Sequence, residues 1–182
     1  MTCIVGLERE GAVYMGCDSA SVGGYYDMST ETGPKVFHTG KFLIGFTSSW
    51  RMGQILQYQL SVREQGRAED NRAYMILAFA EAIRELMKSH GYAHVEYNEE
   101  RGGCFLVGYR GELYKVQENY AVLRRTDGFN AIGCADAYAL GALSVLDKTN
   151  PREALEAALN AAAYFSAGVR GPFHIEELRH ED

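Results

Sequence analysis

The sequence has little that would tie it to metal, membrane or nucleic acid. Its four cysteines, Cys3, Cys17, Cys104 and Cys134, form no C-x-x-C pair, which removes the common zinc and dithiol motifs. The five histidines are scattered. Only His90 and His94 are four apart, and Gly91 and Tyr92 between them read as a helix end, not as a metal-binding face. There is no G-x-x-x-x-G-K-[ST] phosphate loop, so ATP-driven work would have to come from a separate partner. No apolar run approaches the length of a membrane span. The first residues lack the basic start and long apolar stretch of a signal peptide. Lys and Arg total 18 against 24 Asp and Glu, and the net charge of −6 argues against retention on nucleic acid by bulk electrostatics. Low-complexity tracts, internal linkers and solenoid repeats are also missing. The expectation is a cytoplasmic protein with Cys3 and Cys17 as buried free thiols, no cofactor, no metal and no membrane or nucleic-acid partner.

What is present is an ordinary globular composition, 47% apolar and 23% charged over 182 residues, enough for one domain spanning 1–182 with a sizeable core. Residues 2–7 and 12–17 are apolar runs around Glu8-Arg9-Glu10-Gly11, a hairpin pattern. Both runs are apolar at consecutive positions, as in strands covered on both faces. A Gly-, Ser- and Tyr-rich loop over 19–33 ends at Pro34. Strands follow at 35–38 and 41–46, then a helix from Ser48 or Ser49 to about Arg63, and a second helix over Arg72–Ser89. In that helix Met75, Ile76, Phe79, Ile83, Leu86 and Met87 form one apolar stripe, read as core packing. After a polar insert at 90–103 come strands at 104–109, 112–116, 120–123 and 130–133. A helix over Ala135–Leu146 follows, then one started by Asn150-Pro151 with Glu153. The last strand is Phe173–Leu178, before a charged tail. Two blocks of strands, each followed by two helices, predict two stacked sheets with helix layers outside.

The opening residues raise a specific possibility. Thr2-Cys3-Ile4-Val5-Gly6, Gly16-Cys17-Asp18-Ser19, Lys35-Val36-Phe37, Phe42-Leu43-Ile44-Gly45-Phe46 and the turn Gly133 to Gly141 occur in the order and spacing of one family. The chain resembles proteasome β-subunits and HslV-type peptidase subunits, above all small bacterial or phage proteasome-like proteins. The resemblance implies the α+β fold of N-terminal nucleophile hydrolases, a four-layer αββα sandwich. It also implies a nucleophilic Thr2, exposed as the first residue by loss of Met1, with Asp18 and Lys35 as its catalytic partners.

The chemistry needs these residue types. A threonine hydroxyl is a poor nucleophile without a base, and a free α-amine with a pKa of roughly 7.7–8.0 can supply one. Lys35 would add positive charge beside the developing oxyanion, and Asp18 would keep it charged and aimed. Thr47 and Ser48 occupy the loop that the family uses for the oxyanion, where relatives often carry Ala and Gly. Ser48 and Ser49 compete for the role of helix cap. Cys134 and Asp136 stand in a turn where relatives often have serine, and Asp136 reads equally as a first-turn acid of a helix. Ser166 is a substitute for a serine that relatives carry after the last long helix. Ser21, Phe46 and Trp50 would line a side-chain pocket by family analogy, although Trp50 reads more simply as helix packing.

The leading expectation is therefore a threonine-type peptidase subunit. It would act on peptide or unfolded protein inside a homo-oligomeric ring, with a separate ATPase unfoldase as a possible partner. Two alternatives stay open: a non-catalytic ring subunit, or a small-molecule amidase of the same fold.

Overall fold

The structure is a computed structural model that describes residues 1–25 and 27–180. Position 26 of the first loop and the end of the charged tail lie outside the described residues. In chain order the strands are β1 (Cys3–Arg9), β2 (Ala12–Cys17), β3 (Ala20–Val22), β4 (Met28–Thr30), β5 (Val36–Thr39), β6 (Phe42–Phe46), β7 (His94–Glu96), β8 (Glu99–Arg101), β9 (Phe105–Tyr109), β10 (Glu112–Val116), β11 (Val122–Leu123), β12 (Phe129–Gly133) and β13 (His174–Arg179). The helices are α1 (Trp50–Gln59), α2 (Asn71–Tyr74), α3 (Ala80–Ser89), α4 (Asp136–Val145) and α5 (Pro151–Phe165).

The first hairpin turns through Glu10 and Gly11, both at positive φ (52° and 73°). That two-residue geometry matches the right-handed twist of the strands it joins. β1 and β2 are the centre of a four-stranded antiparallel sheet, ordered β12-β1-β2-β13. A five-stranded sheet, β11-β10-β9-β6-β5, packs against it. Ile4, Val13, Met15, Leu43, Leu106 and Leu113 fill the space between the two sheets. The approach is close: a Cβ on Gly45 would lie 2.6 Å from Ile4 Cγ2 and 2.7 Å from Met15 Sδ.

The outer face of each sheet is covered by helices. Cys3, Val5 and Leu7 of β1 meet Ala139 and Leu143 of α4 and Leu155, Ala158, Leu159 and Ala162 of α5. Phe42, Ile44 and Val107 meet Ile55 and Leu56 of α1 and Ile83 and Met87 of α3. This double cover is why β1 and β2 are apolar at consecutive positions instead of alternating.

Several expectations shift in detail. Helix α1 ends at Gln59, not near Arg63, because Leu60 turns extended (ψ 124°). The chain beyond it is tied down instead by Arg63 to Glu69 and by Tyr74 Oη donating to Arg63 O at 2.6 Å. The second predicted helix is continuous but contains a π turn at Met75–Phe79 between α2 and α3. One extra residue in that turn rotates the stripe, so Met75, Phe79, Ile83 and Met87 face inward while Ile76 is exposed. The loop over 19–33 and the insert over 90–103 each contain a small hairpin, β3–β4 and β7–β8, with mostly exposed side chains. Asn150 caps α5 as expected, accepting from Glu153 N–H at 3.4 Å, with Pro151 as the first helical residue.

Leu106→Ala, which empties a fully buried place between the sheets, should cost about 2–5 kcal/mol in urea unfolding. Val145→Ala, on the solvent face of α4, should stay within about 0.5 kcal/mol of wild type in the same measurement.

Candidate active site

The site begins with a buried ion pair. Asp18 follows β2 directly and Lys35 directly precedes β5; they are 1% and 2% exposed. Lys35 Nζ donates to both carboxylate oxygens of Asp18 at 3.0 Å and to Ala20 O at 2.6 Å. Asp18 accepts in addition from Cys3 N–H and Ala20 N–H, each at 2.9 Å. Every ammonium proton thus has a protein acceptor, and the carboxylate is held by four donors. A buried pair survives at this depth only with such complete satisfaction.

Thr2 stands one residue before β1 and is 7% exposed. Its carbonyl accepts from Cys134 N–H at 3.0 Å. Gly133 makes that approach possible: its φ is +110°, and a Cβ there would collide with the Thr2 carbonyl oxygen. Thr2 N–H reaches Cys134 Sγ at 3.4 Å, and Cys134 Sγ lies 4.0 Å from Ser166 Oγ. Ser166 caps the end of α5 and accepts from Gly168 N–H at 3.3 Å. Thr2 Oγ1 donates to Met1 O at 2.5 Å, while the Met1 side chain rests against Gly168.

The loop after β6 closes the site. Thr47 is pinned to Cys104 O through its N–H at 3.4 Å and its hydroxyl at 3.3 Å. Ser48 takes a left-handed conformation (φ +79°), and its N–H has no acceptor among the described residues. Ser49, not Ser48, is the cap of α1, accepting from Met52 N–H. Two cavities flank Thr2. A narrow one of about 80 Å³ is lined by Lys35, Ser21, Phe46, Ser48 and Trp50. A wider one of about 470 Å³ is lined by Thr47, Ser48, Cys104, Lys115, Cys134 and Asp136.

The fold therefore brings Thr2, Lys35, Thr47, Ser48, Cys134 and Asp136 to the walls of these two cavities, with Asp18 behind Lys35 and Ser166 behind Cys134. Asp136 is the first residue of α4, so its place as a first-turn acid and its place on the wall coincide. Trp50 opens α1 and also faces the narrow cavity. Sequence reasoning did not find Cys104, Lys115 and Glu118, which line the wide cavity from the far sheet. Only strand pairing across that sheet places them, and no local motif marks them. No cluster of His, Cys, Asp or Glu among the described residues could hold a metal.

The thiols divide by environment. Burial, reinforced by the Asp18 charge, pushes Cys3 up to about 12; burial pushes Cys17 up to about 11. Burial also raises Cys104. Cys134 is exposed, and all four are free.

No family model matches the sequence, and no curated protein does. Solved structures do match. BPH from Thiobacillus denitrificans, in complex with epoxomicin, superposes with a TM-score of 0.80 at 18% identity, over 100% of both chains. HslV from Trypanosoma brucei gives 0.70 at 18% identity, over 98% of this chain and 100% of its own. Anbu, an ancestral beta-subunit from Yersinia bercovieri, gives 0.67 at 13% identity, over 98% and 82%. The chain has the proteasome-type fold. In the proteasome-type fold of this chain, Thr2 lies at the mouth between the two sheets, where both cavities open.

Asp18→Ala leaves a buried ammonium without its counter-charge and should cost about 3–5 kcal/mol in urea unfolding. Lys35→Met should cost less, because Cys3 and Ala20 N–H still serve the carboxylate. Iodoacetamide at pH 8 should label Cys134 and spare Cys3 and Cys17, whose raised pKa values keep them as thiols; peptide mass mapping reads this.

Proposed function

We propose that this chain is a threonine-type peptidase subunit, with Thr2 as nucleophile once Met1 has been removed. The observation that supports it best is that Thr2 and Lys35 line one cavity, with the Thr2 nitrogen facing Cys134 Sγ. The three apolar clusters support reading the architecture as four layers, αββα.

With Met1 attached, the Thr2 nitrogen is an amide and carries no basic lone pair. Freed, it becomes an α-amine of pKa about 7.7–8.0, able to take the hydroxyl proton directly or through water. Thr2 Oγ then attacks the substrate carbonyl carbon and the C=O pair moves onto oxygen. The Ser48 N–H, unpaired among the described residues, is the candidate donor to that oxyanion. Lys35 acts as a positive field, since its three protons are already engaged. Collapse breaks the C–N bond, and the leaving amine takes the proton from the Thr2 ammonium. Water, deprotonated by the same amine, hydrolyses the ester and restores Thr2. In this reading Cys134 orients the amine, Ser166 supports Cys134, and Asp136 and Thr47 shape the wide cavity.

Assembly into a homo-oligomeric ring is part of the same reading. An exposed aromatic group supports it: Tyr138 stacks on Phe165 at 5.3 Å, and Tyr164 meets Phe165 edge-on at 5.0 Å. The substrate would be peptide or unfolded protein, with an ATPase unfoldase as a separate partner. A cytoplasmic location belongs to the same proposal; no helix among the described residues is long and apolar enough to cross a membrane.

The test is intact mass with and without an epoxyketone or β-lactone probe. Loss of Met1 and a single adduct, absent in Thr2→Ala, is the expected result. Retained Met1 without an adduct would overturn the reading and leave an assembly subunit. In the active protein, peptide hydrolysis should rise with pH through about 7.7–8.0 and level off above, because only the unprotonated amine is a base.

A further inference from the structure

The narrow cavity beside Thr2 is small for a reason that is visible in its walls. Trp50 stands across it. The indole N–H donates to Ser21 Oγ at 3.2 Å, so the ring is fastened to β3. Phe46 meets the ring edge-on, with centroids 5.7 Å apart and an interplanar angle of 74°. Lys35 Nζ lies 5.8 Å from the ring centroid, a cation–π distance. Three partners, on β3, on β6 and just before β5, thus hold the indole in one position. Ala20, Val22 and Met1 supply the remaining apolar wall.

With Met1 closing the Thr2 side, the volume left in front of this wall is about 80 Å³. A cavity that binds benzene measures about 150 Å³, and a water takes about 30 Å³ of liquid. The space therefore admits a side chain of one to three heavy atoms and excludes an aromatic ring. Charge is disfavoured too, because Lys35 has no free donor for an acidic side chain. A basic one would meet the ammonium itself. Met1 borders the cavity on the Thr2 side, with its side chain packed on Gly168, so its loss opens the space toward Thr2 and leaves the opposite wall of Ser21, Phe46 and Trp50 in place.

We infer that Trp50, latched to Ser21, restricts the acyl side of the substrate to small uncharged residues of glycine, alanine, serine or valine size. This rests on the reading of Thr2 as nucleophile: the cavity opens at that hydroxyl and takes the group carried by the attacked carbonyl. Trp50 is the specificity-determining residue. Its size sets the limit, and the Ser21 hydrogen bond keeps it from swinging aside.

Trp50 is the sole tryptophan of the chain, so its emission reports occupancy of this cavity. The first measurement uses Thr2→Ala protein, in which no chemistry competes. It is titrated with acetylated tripeptide amides that differ only in a final Ala, Leu or Phe. The Ala peptide should shift Trp50 emission at concentrations at least about tenfold below those needed for the Leu and Phe peptides. Equal or tighter response to Leu or Phe overturns the inference, as does no response to any of the three.

The second measurement is turnover of the matching coumarylamides by wild type, Trp50→Phe and Trp50→Ala. In wild type, kcat/KM for Ala should exceed that for Leu by at least about tenfold. Trp50→Ala should reverse the order. Trp50→Phe, which keeps a ring but loses the hydrogen bond to Ser21, should narrow the ratio and covers the case in which the larger truncation fails to fold. Turnover without size preference overturns the inference and leaves Thr2 as nucleophile. An Ala-selective emission change without turnover of any substrate does the opposite: it supports the restricted cavity and overturns Thr2.

Discussion

The buried pair of Asp18 and Lys35 is the constraint on which the site depends. Two charges taken out of water carry a penalty of several kcal/mol each unless fully satisfied. Here the satisfaction comes from four places in the chain: Asp18 after β2, Lys35 before β5, Cys3 N–H at the start of β1, and Ala20 at the start of β3. β1 and β2 belong to one sheet and β5 to the other. The pair therefore fixes where the mouths of the two sheets meet, and Thr2, one residue before Cys3, is carried to that point. The same arrangement determines what Lys35 can do. With all three protons engaged it cannot hydrogen-bond a substrate without giving something up, so its influence is electrostatic.

The opposite flank of Thr2 is set by backbone rather than charge. Gly133 lets β12 approach the Thr2 carbonyl, and Cys134 N–H fastens it there. A residue with a side chain at 133 would push Thr2 off β12 and away from Lys35. Electrostatics on one side and a left-handed glycine on the other hold Thr2 between them. The role proposed for Thr2 requires a group held to a fraction of an ångström, and two independent anchors on different strands are in keeping with that.

Much of this could be read before any coordinates. The consecutive apolar residues of β1 and β2 signal double cover, and the Asn150-Pro151 start of α5 signals its own cap. Thr2, Asp18 and Lys35 stand out in the sequence through the family resemblance, and the structure sets each beside the end of a strand. What escapes is whatever depends on partners far along the chain. The π turn at Met75–Phe79 is one case: the stripe looks helical in sequence, yet one residue of slippage sends Ile76 outward. Hairpins β3–β4 and β7–β8 are another, because short exposed strands have no apolar alternation to betray them. Cys104 and Lys115 reach the wide cavity only through the pairing of β9, β10 and β6, which no local window contains.

The same reasoning accounts for a fold match at TM-score 0.80 with only 18% identity. Few side chains in this site have to be what they are. The oxyanion candidate is a backbone N–H at Ser48, the Thr2 anchor is a backbone N–H at Cys134, and two of the four donors to Asp18 are backbone as well. A backbone donor is indifferent to its side chain so long as its conformation is kept. The side chains of Thr47, Ser48 and Cys134 could therefore change without dismantling the backbone geometry. What such substitutions change is the lining of the cavities, and with it the choice of substrate. Trp50, Ser21 and Cys134 face the open space, whereas the pair behind them could be changed only at the cost of disturbing a buried charge.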